Sequence, residues 1–305
     1  MDAPRDQHDR SEQAGVVVGV DGSSLGLDAV RWAVAEARLR GLPLEILHAA
    51  PYSVGNAAGL HRARDILARA YTVAHRIDRD LPVTTRRTEQ AAAPSLLDAA
   101  RHAALVVVGM GGGDRPQEVL IGSVALDVSG HSPCPVAVVR GHDAPVGGPV
   151  LVGIDDPATD AAALTVAFAD TRRHGGRLVV LHARHGAAPF RAHLTGHTET
   201  ARVAAWEQLV DALAPWAERF PGVPVELTVV PGDPTSALLA SAVDARLVVL
   251  GTRGRGAAAR ALFGSTSRAV LRRSPVPVVV VNPDAAVSDE EPLAAAADQR
   301  EPSQL

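Results

Sequence analysis

The chain has 305 residues, a net charge of −4 and a composition that is 47% hydrophobic but only 3% aromatic. That size and apolar content suit one or two soluble domains with a sizeable core, and the charge gives no reason to expect nucleic acid as a partner. All 30 basic residues are arginine, which excludes a Walker-type phosphate loop and Schiff-base chemistry, since both need lysine.

The opening residues, 1–13, are charged and lack an apolar core, so they are expected to form a disordered tail and not a signal peptide. Residues 14–20 (AGVVVGV) are a short Val-rich run, the pattern of a buried strand. Residues 27–41 place Leu27, Val30 and Val34 at helical spacing and stop at Gly41. LEILHA (44–49) is a second strand, and 61–79 a helix with Ile66, Leu67, Ala70, Val73, Ala74 and Ile77 on one face. A more polar third strand (83–89), a helix (94–103) and a fourth strand ending VVVGM follow. A glycine loop, a short helix and the strand PVAVV then close the unit near residue 140. No apolar run approaches the roughly 18 residues of a membrane span, so the cytoplasm is the expected location. Cys134 is the sole cysteine, which rules out an intramolecular disulfide or a cysteine metal cluster.

The same order then repeats. Residues 18–49 align without a gap to 152–183 at an offset of 134, pairing Gly19 with Gly153, Asp21 with Asp155 and Gly41 with Gly175. The later halves align at an offset of 142, where LVVVG (105–109) meets LVVLG (247–251) and HSPCPVAVV (131–139) meets RSPVPVVVV (273–281). Two domain-sized units follow, at 14–140 and 149–283, joined by a Gly/Pro-rich linker at 141–148. The acidic segment 284–305 is expected to be disordered. Alternating strands and helices predict, for each unit, a parallel sheet with helices on both faces.

The glycine loops are the chemical signal. GMGGGDRPQEVLIGSVA (109–125) and GTRGRGAAARALFGSTS (251–267) differ nearly everywhere except at glycine. Gly109, Gly112 and Gly122 recur as Gly251, Gly254 and Gly264, and the third glycine precedes Ser123 or Ser265. Each loop leaves the carboxyl end of a fourth strand, where open parallel sheets bind ligands. Glycine lets backbone N–H groups approach a ligand closely, and the free N–H groups opening the following helix suit an anion. A phosphate chain fits this arrangement.

The Gly-x2-Gly-x9-Gly-Ser pattern, with a V-G-x-D opening and a Pro-Val-x-Val-Val close, resembles the universal stress protein family in its tandem-domain form. The resemblance covers both units. It implies two tandem Rossmann-like α/β domains, each a five-stranded parallel sheet in the order 3-2-1-4-5, and a regulatory role in the stress response. The implied ligand is ATP, with Mg²⁺ as an optional companion. Carried over by position, it assigns the adenine and ribose side to Val20 and Asp21, and to Ile154 and Asp155, with Ala49 and Ala183 lining the adenine. Ribose and phosphates fall to Gly109, Gly112, Gly122, Ser123 and Val124, and to Gly251, Gly254, Gly264, Ser265, Thr266 and Ser267. Fifth strands of the family often pair antiparallel across a dimer. Residues 136–139 and 278–281 are therefore expected to pair within one chain or with a second molecule, as a homodimer.

The two units differ. Ala125 stands where the second has Ser267, so the first lacks one hydroxyl expected to face phosphate. The first loop carries Asp114 and Glu118, and the second Arg253, Arg255 and Arg260. Arginine favours phosphate, and an acidic loop disfavours it unless Mg²⁺ intervenes. The second unit is thus expected to be the better phosphate binder, with Arg253 the arginine nearest to reach it. No base beside the phosphates is identified, so a regulatory binder is the leading reading. A slow ATPase or adenylating enzyme, and a nucleotide-free interaction module, are the alternatives.

Plainer readings compete at several positions. Asp21 and Asp155 are equally suited to capping a helix. The matched His48 and His182 read as hydrogen-bonded core histidines. His193 and His197 lack a third zinc ligand, and Cys134 reads as a small buried residue. Arg268, Arg272 and Arg273 are expected to face solvent or their own helix end.

Overall fold

The computed structural model describes residues 15–111, 121–141, 147–184, 197–252 and 264–287. The first unit runs β1 (Gly15–Gly19), α1 (Ser24–Arg40), β2 (Leu44–Ala49), α2 (Ala57–Ile77), β3 (Val83–Thr88), α3 (Ala92–Ala99), β4 (Ala103–Gly109), α4 (Ser123–His131) and β5 (Val136–Val139). The second runs β6 (Val150–Ile154), α5 (Ala161–His174), β7 (Leu178–Arg184), α6 (His197–Arg219), β8 (Val225–Pro231), α7 (Pro234–Ala242), β9 (Leu247–Gly251), α8 (Ser265–Arg273) and β10 (Val278–Val281).

Side-chain caps set the helix starts. The first helix begins at Ser24, three residues before the apolar periodicity does, because the Ser23 hydroxyl accepts the Gly26 N–H. It stops at Gly41, whose φ of 62° suits glycine and lets its N–H reach back to Arg38. The second helix begins at Ala57, earlier than the expected 61, because the Asn56 side chain accepts the Gly59 N–H.

The strands form one ten-stranded sheet in the order β3-β2-β1-β4-β5-β10-β9-β6-β7-β8. Each half has the expected 3-2-1-4-5 order. The halves join through β5 and β10, which pair antiparallel with Val278 opposite Val138 and Val280 opposite Val136. Of the two expected arrangements, the structure thus shows pairing within one chain. Both strands are wholly buried. Each covers what would otherwise be a bare apolar edge of the other's sheet.

The pleat sorts the core into two layers. Val16 and Val18 face one way, against Val30 and Val34 of α1 and, in the second unit, Phe168 of α5 and Phe220 beyond α6. Val17 faces the other way, towards Leu96 of α3, Val128 of α4, Leu238 of α7 and Val270 of α8. Both layers run through both units. Past β10 the chain stays on the fold as far as it is described: Ala285 and Val287 pack on the first layer, and the Ala286 N–H donates to the Pro133 carbonyl at 2.8 Å. No described helix is long and apolar enough to cross a membrane.

Where α1 meets α5 lies a buried charge cluster with approximate two-fold symmetry. The duplication pairs Glu36 with Asp170 and Arg40 with His174. Each acid meets the other helix's basic residue: Glu36 with His174 at 2.8 Å, Asp170 with Arg40 at 2.7 Å. Arg40 also reaches Glu36 at 3.3 Å, and Arg173 reaches Asp170 at 2.5 Å. Burial alone would raise the Glu36 carboxyl. The His174 hydrogen bond and the charges of Arg40, His174 and Arg246 outweigh it and hold the pKa down to about 2.

Candidate functional site

In each half the chain leaves the first strand for one side of the sheet and returns to the other for its fourth. The strand order therefore reverses between β1 and β4, and again between β6 and β9, and in open parallel sheets the carboxyl ends at such a switch point bound a ligand crevice. Val20 is buried at the rim of the first crevice; its N–H donates to the Leu47 carbonyl at 2.9 Å. The Val20 carbonyl accepts from Nδ1 of His48 at 2.7 Å, while Nε2 of that ring faces the Tyr52 hydroxyl at 2.8 Å. A carbonyl only accepts, so Nδ1 carries the proton and Nε2 accepts from tyrosine. His182 repeats the first bond, to the Ile154 carbonyl at 3.1 Å. Both histidines thus tie the second strand of the unit to the end of the first, as the plainer reading expects. One residue further on, Ala49 ends β2 and is half-buried, and Ala183, the last residue but one of β7, is buried.

Behind each crevice stands a helix start with no side chain of its own to cap it. Gly109 ends β4 so close to α1 that a Cβ there would lie 2.9 Å from the Leu25 carbonyl oxygen. After the loop, the Gly122 N–H donates to the Met110 carbonyl at 2.7 Å, which pins the start of α4 to the end of β4. Gly122 is the N-cap and makes no side-chain cap bond. The N–H groups of Ser123, Val124 and Ala125 therefore open the helix beside the crevice with its positive dipole end. The second unit repeats this: Gly264 donates to the Thr252 carbonyl at 2.8 Å, and α8 opens at Ser265. Ser123 and Ser265 are exposed, and Val124 and Thr266 half-buried.

Ser267 departs from expectation. Its hydroxyl is nearly buried and donates to the Gly251 carbonyl at 2.7 Å, clamping α8 to the end of β9. In this arrangement the donor is used inside the protein, where the expectation had it facing phosphate. The contrast with the buried Ala125 is one of helix anchoring.

The two strand-one corners are also built differently. In the first unit the exposed Asp21 accepts the N–H of Ser23 at 2.9 Å and its hydroxyl at 2.6 Å, holding the residue that caps α1. A Cβ at Gly26 would stand 2.9 Å from that carboxylate. In the second unit Pro157 occupies the capping position, and the helix begins only at Ala161. There Asp160, equivalent to Gly26, takes over. Asp160 is 4% exposed, and its carboxylate accepts the N–H groups of Asp155 at 2.9 Å and Asp156 at 3.2 Å. Burial, with the neighbouring Asp155 and Asp156 charges, outweighs those bonds and pushes its pKa up to about 6. Asp160 was not legible as part of the site, because the duplication matches it to a glycine.

Cys134 is buried and burial pushes its thiol up, as suits an inert packing residue. Arg268, Arg272 and Arg273 are exposed. Among the described residues no three His, Cys, Asp or Glu side chains converge on a metal position. Gly112, Arg253 and Gly254 lie outside the described residues, as do Asp114, Glu118, Arg255, Arg260 and His193. His197 opens α6.

Comparison with known proteins places this arrangement. The model of the universal stress protein family matches residues 15–140 and again 148–282. One universal stress protein of Mycobacterium tuberculosis is 34% identical over 299 residues, covering 92% of this chain and 99% of its own. A second from that organism is 33% identical over 285 residues, covering 87% and 95%. Among solved structures, a universal stress protein from Archaeoglobus fulgidus superposes with a TM-score of 0.67 at 20% identity, over 89% of this chain and 99% of its own.

Proposed function

The chain belongs to the universal stress protein family, and from that premise we propose that it is a tandem receptor for adenine nucleotide, holding ATP in each crevice and acting by regulation in the stress response. The observation that carries this reading is the repeated helix start: α4 and α8 each open on a glycine N-cap, pinned to the carboxyl end of a central strand. Such a start offers backbone N–H groups and a positive dipole end, and a glycine in place of a side chain leaves room for phosphate. The residues at the ends of β1 and β2, and of β6 and β7, would then take the adenine and ribose. Mg²⁺ would arrive with the phosphates. The second cradle is the tighter of the two in this proposal, because its loop sequence carries three arginines and no acid, where the first has two acids and the single Arg115.

Mass spectrometry of the small molecules released on denaturing freshly purified protein tests the reading. An adenine nucleotide, or its uptake by nucleotide-free protein on titration, is the expected result. Protein that neither carries nor takes up adenine nucleotide would contradict it.

A further inference from the structure

Asn282 stands just after β10, at the position Arg140 takes just after β5. Both reach across the boundary between the units to the same place, the end of the other unit's cradle helix. Arg140 donates from Nη2 to the Arg272 carbonyl at the end of α8. Asn282 donates from Nδ2 to the Ser132 carbonyl at 2.7 Å and lies 3.4 Å from the Ser129 carbonyl, at the end of α4. Helix-end carbonyls have no donor within their own helix.

The two residues differ in what else they touch. Oδ1 of Asn282 accepts the Thr252 hydroxyl at 2.9 Å. Thr252 is 1% exposed, and its carbonyl receives the Gly264 N–H. It therefore holds both ends of the second glycine loop. Met110, its equivalent in the first unit, has no hydroxyl to offer, and Nε of Arg140 is buried without a partner. The amide orientation is fixed by its neighbours, since two carbonyls only accept and the hydroxyl can donate. A hydrogen-bonded chain thus runs from the end of α4, through Asn282 and Thr252, to the base of the second cradle. Among the described residues the first cradle has no such chain.

We propose that Asn282 is a positioning residue that makes the second cradle's hold on nucleotide depend on α4 of the first unit. This rests on the nucleotide reading above. The test is calorimetric titration of the full-length chain with ATP, in two backgrounds. Ser123→Glu and Ser265→Glu each place a carboxylate at one cradle's helix start, which suits the helix dipole and competes with phosphate, so that one cradle remains open in each. With only the second cradle open, Asn282→Ala weakens ATP binding about fivefold, the fold-change typical of one lost hydrogen bond. With only the first open, it changes affinity by less than about twofold. Thr252→Val reproduces the loss and adds nothing to it in the double variant, because both remove one link. Asn282→Asp, which keeps the acceptor for Thr252 but loses the donor to α4, weakens binding as much as alanine does. Equal losses at both cradles, no loss at the second, additive losses in the double variant, or full affinity in Asn282→Asp would each overturn the proposal. Absence of ATP binding by the unsubstituted chain would overturn the nucleotide reading as well, and so is distinguishable from these.

Discussion

In the first unit the corner after strand one is held by surface chemistry, the exposed Asp21 gripping the half-buried Ser23. In the second the same corner is held from beneath, by the carboxyl of the buried Asp160. The glycine helix starts beside these corners share one backbone bond, Gly122 to Met110 and Gly264 to Thr252. What duplicates faithfully here is the set of backbone donors. The side chains that buttress them have been replaced, and the replacements differ in burial, charge and response to pH.

The largest expected effect concerns what joins the units. Glu36→Ala leaves Arg40 and Arg246 beside a missing carboxylate and should cost about 3–5 kcal/mol, as for one partner removed from a buried ion cluster. Chemical denaturation of the full chain at neutral pH measures it. In the unsubstituted protein the Glu36 pKa is held down to about 2 from an ordinary 4.5. Its stabilisation is therefore complete above pH 4.5 and fades as pH falls towards 2. A denaturation midpoint indifferent to Glu36→Ala would show that the cluster holds nothing together.

A smaller loss is expected at the first cradle. Gly109→Ala sets a Cβ 2.9 Å from a backbone oxygen, which cannot swing aside, and should cost about 1–3 kcal/mol. Gly264→Ala meets its nearest backbone atom at 3.4 Å and should cost less. Thermal melts of the two variants compare them directly.

The sharpest contrast between the corners is in pH. Asp160 has its pKa raised from 3.8 to about 6, so the folded protein takes up this proton more readily than the unfolded chain. Its contribution therefore worsens as pH rises from about 4 to about 6, the opposite sign to Glu36. Asp160→Asn keeps an acceptor for the two N–H groups and removes the buried charge. It should stabilise the protein by about 1–2 kcal/mol at pH 7 and by little below pH 4. Asp21→Asn, at the exposed corner, should shift stability by less than about 0.5 kcal/mol at either pH. Denaturation of both variants at the two pH values tests the pair, and equal responses would erase the distinction.

The alternation of Val-rich runs with helical periods was enough to read the strands, the parallel halves and the register of the duplication. The glycine N-caps of α4 and α8 were legible because glycine spacing reports a backbone requirement that side chains cannot mask. What stayed hidden depends on contacts between distant residues. Ser267 reads from sequence as a ligand hydroxyl, and its bond to Gly251 is a contact that spacing cannot report. Asp160 aligns with a glycine, and only Pro157, which removes the Ser23-type cap, hints that another residue must hold that corner. Glu36, Arg40, Asp170 and His174 look like ordinary charges on helices, since helical spacing cannot say that α1 and α5 face each other. The pairing of β5 with β10 was expected from the family resemblance, with one chain and a second molecule both open as the source of the neighbour, and the structure shows it within the chain.

The most direct test counts binding sites. Titration calorimetry of the nucleotide-free, full-length chain with ATP should return two sites. Ser123→Glu and Ser265→Glu should each leave one, with the larger loss of affinity in Ser265→Glu, and the double variant should leave none. Undiminished binding in the double variant would contradict the account, because nucleotide would then be held somewhere other than the two helix starts.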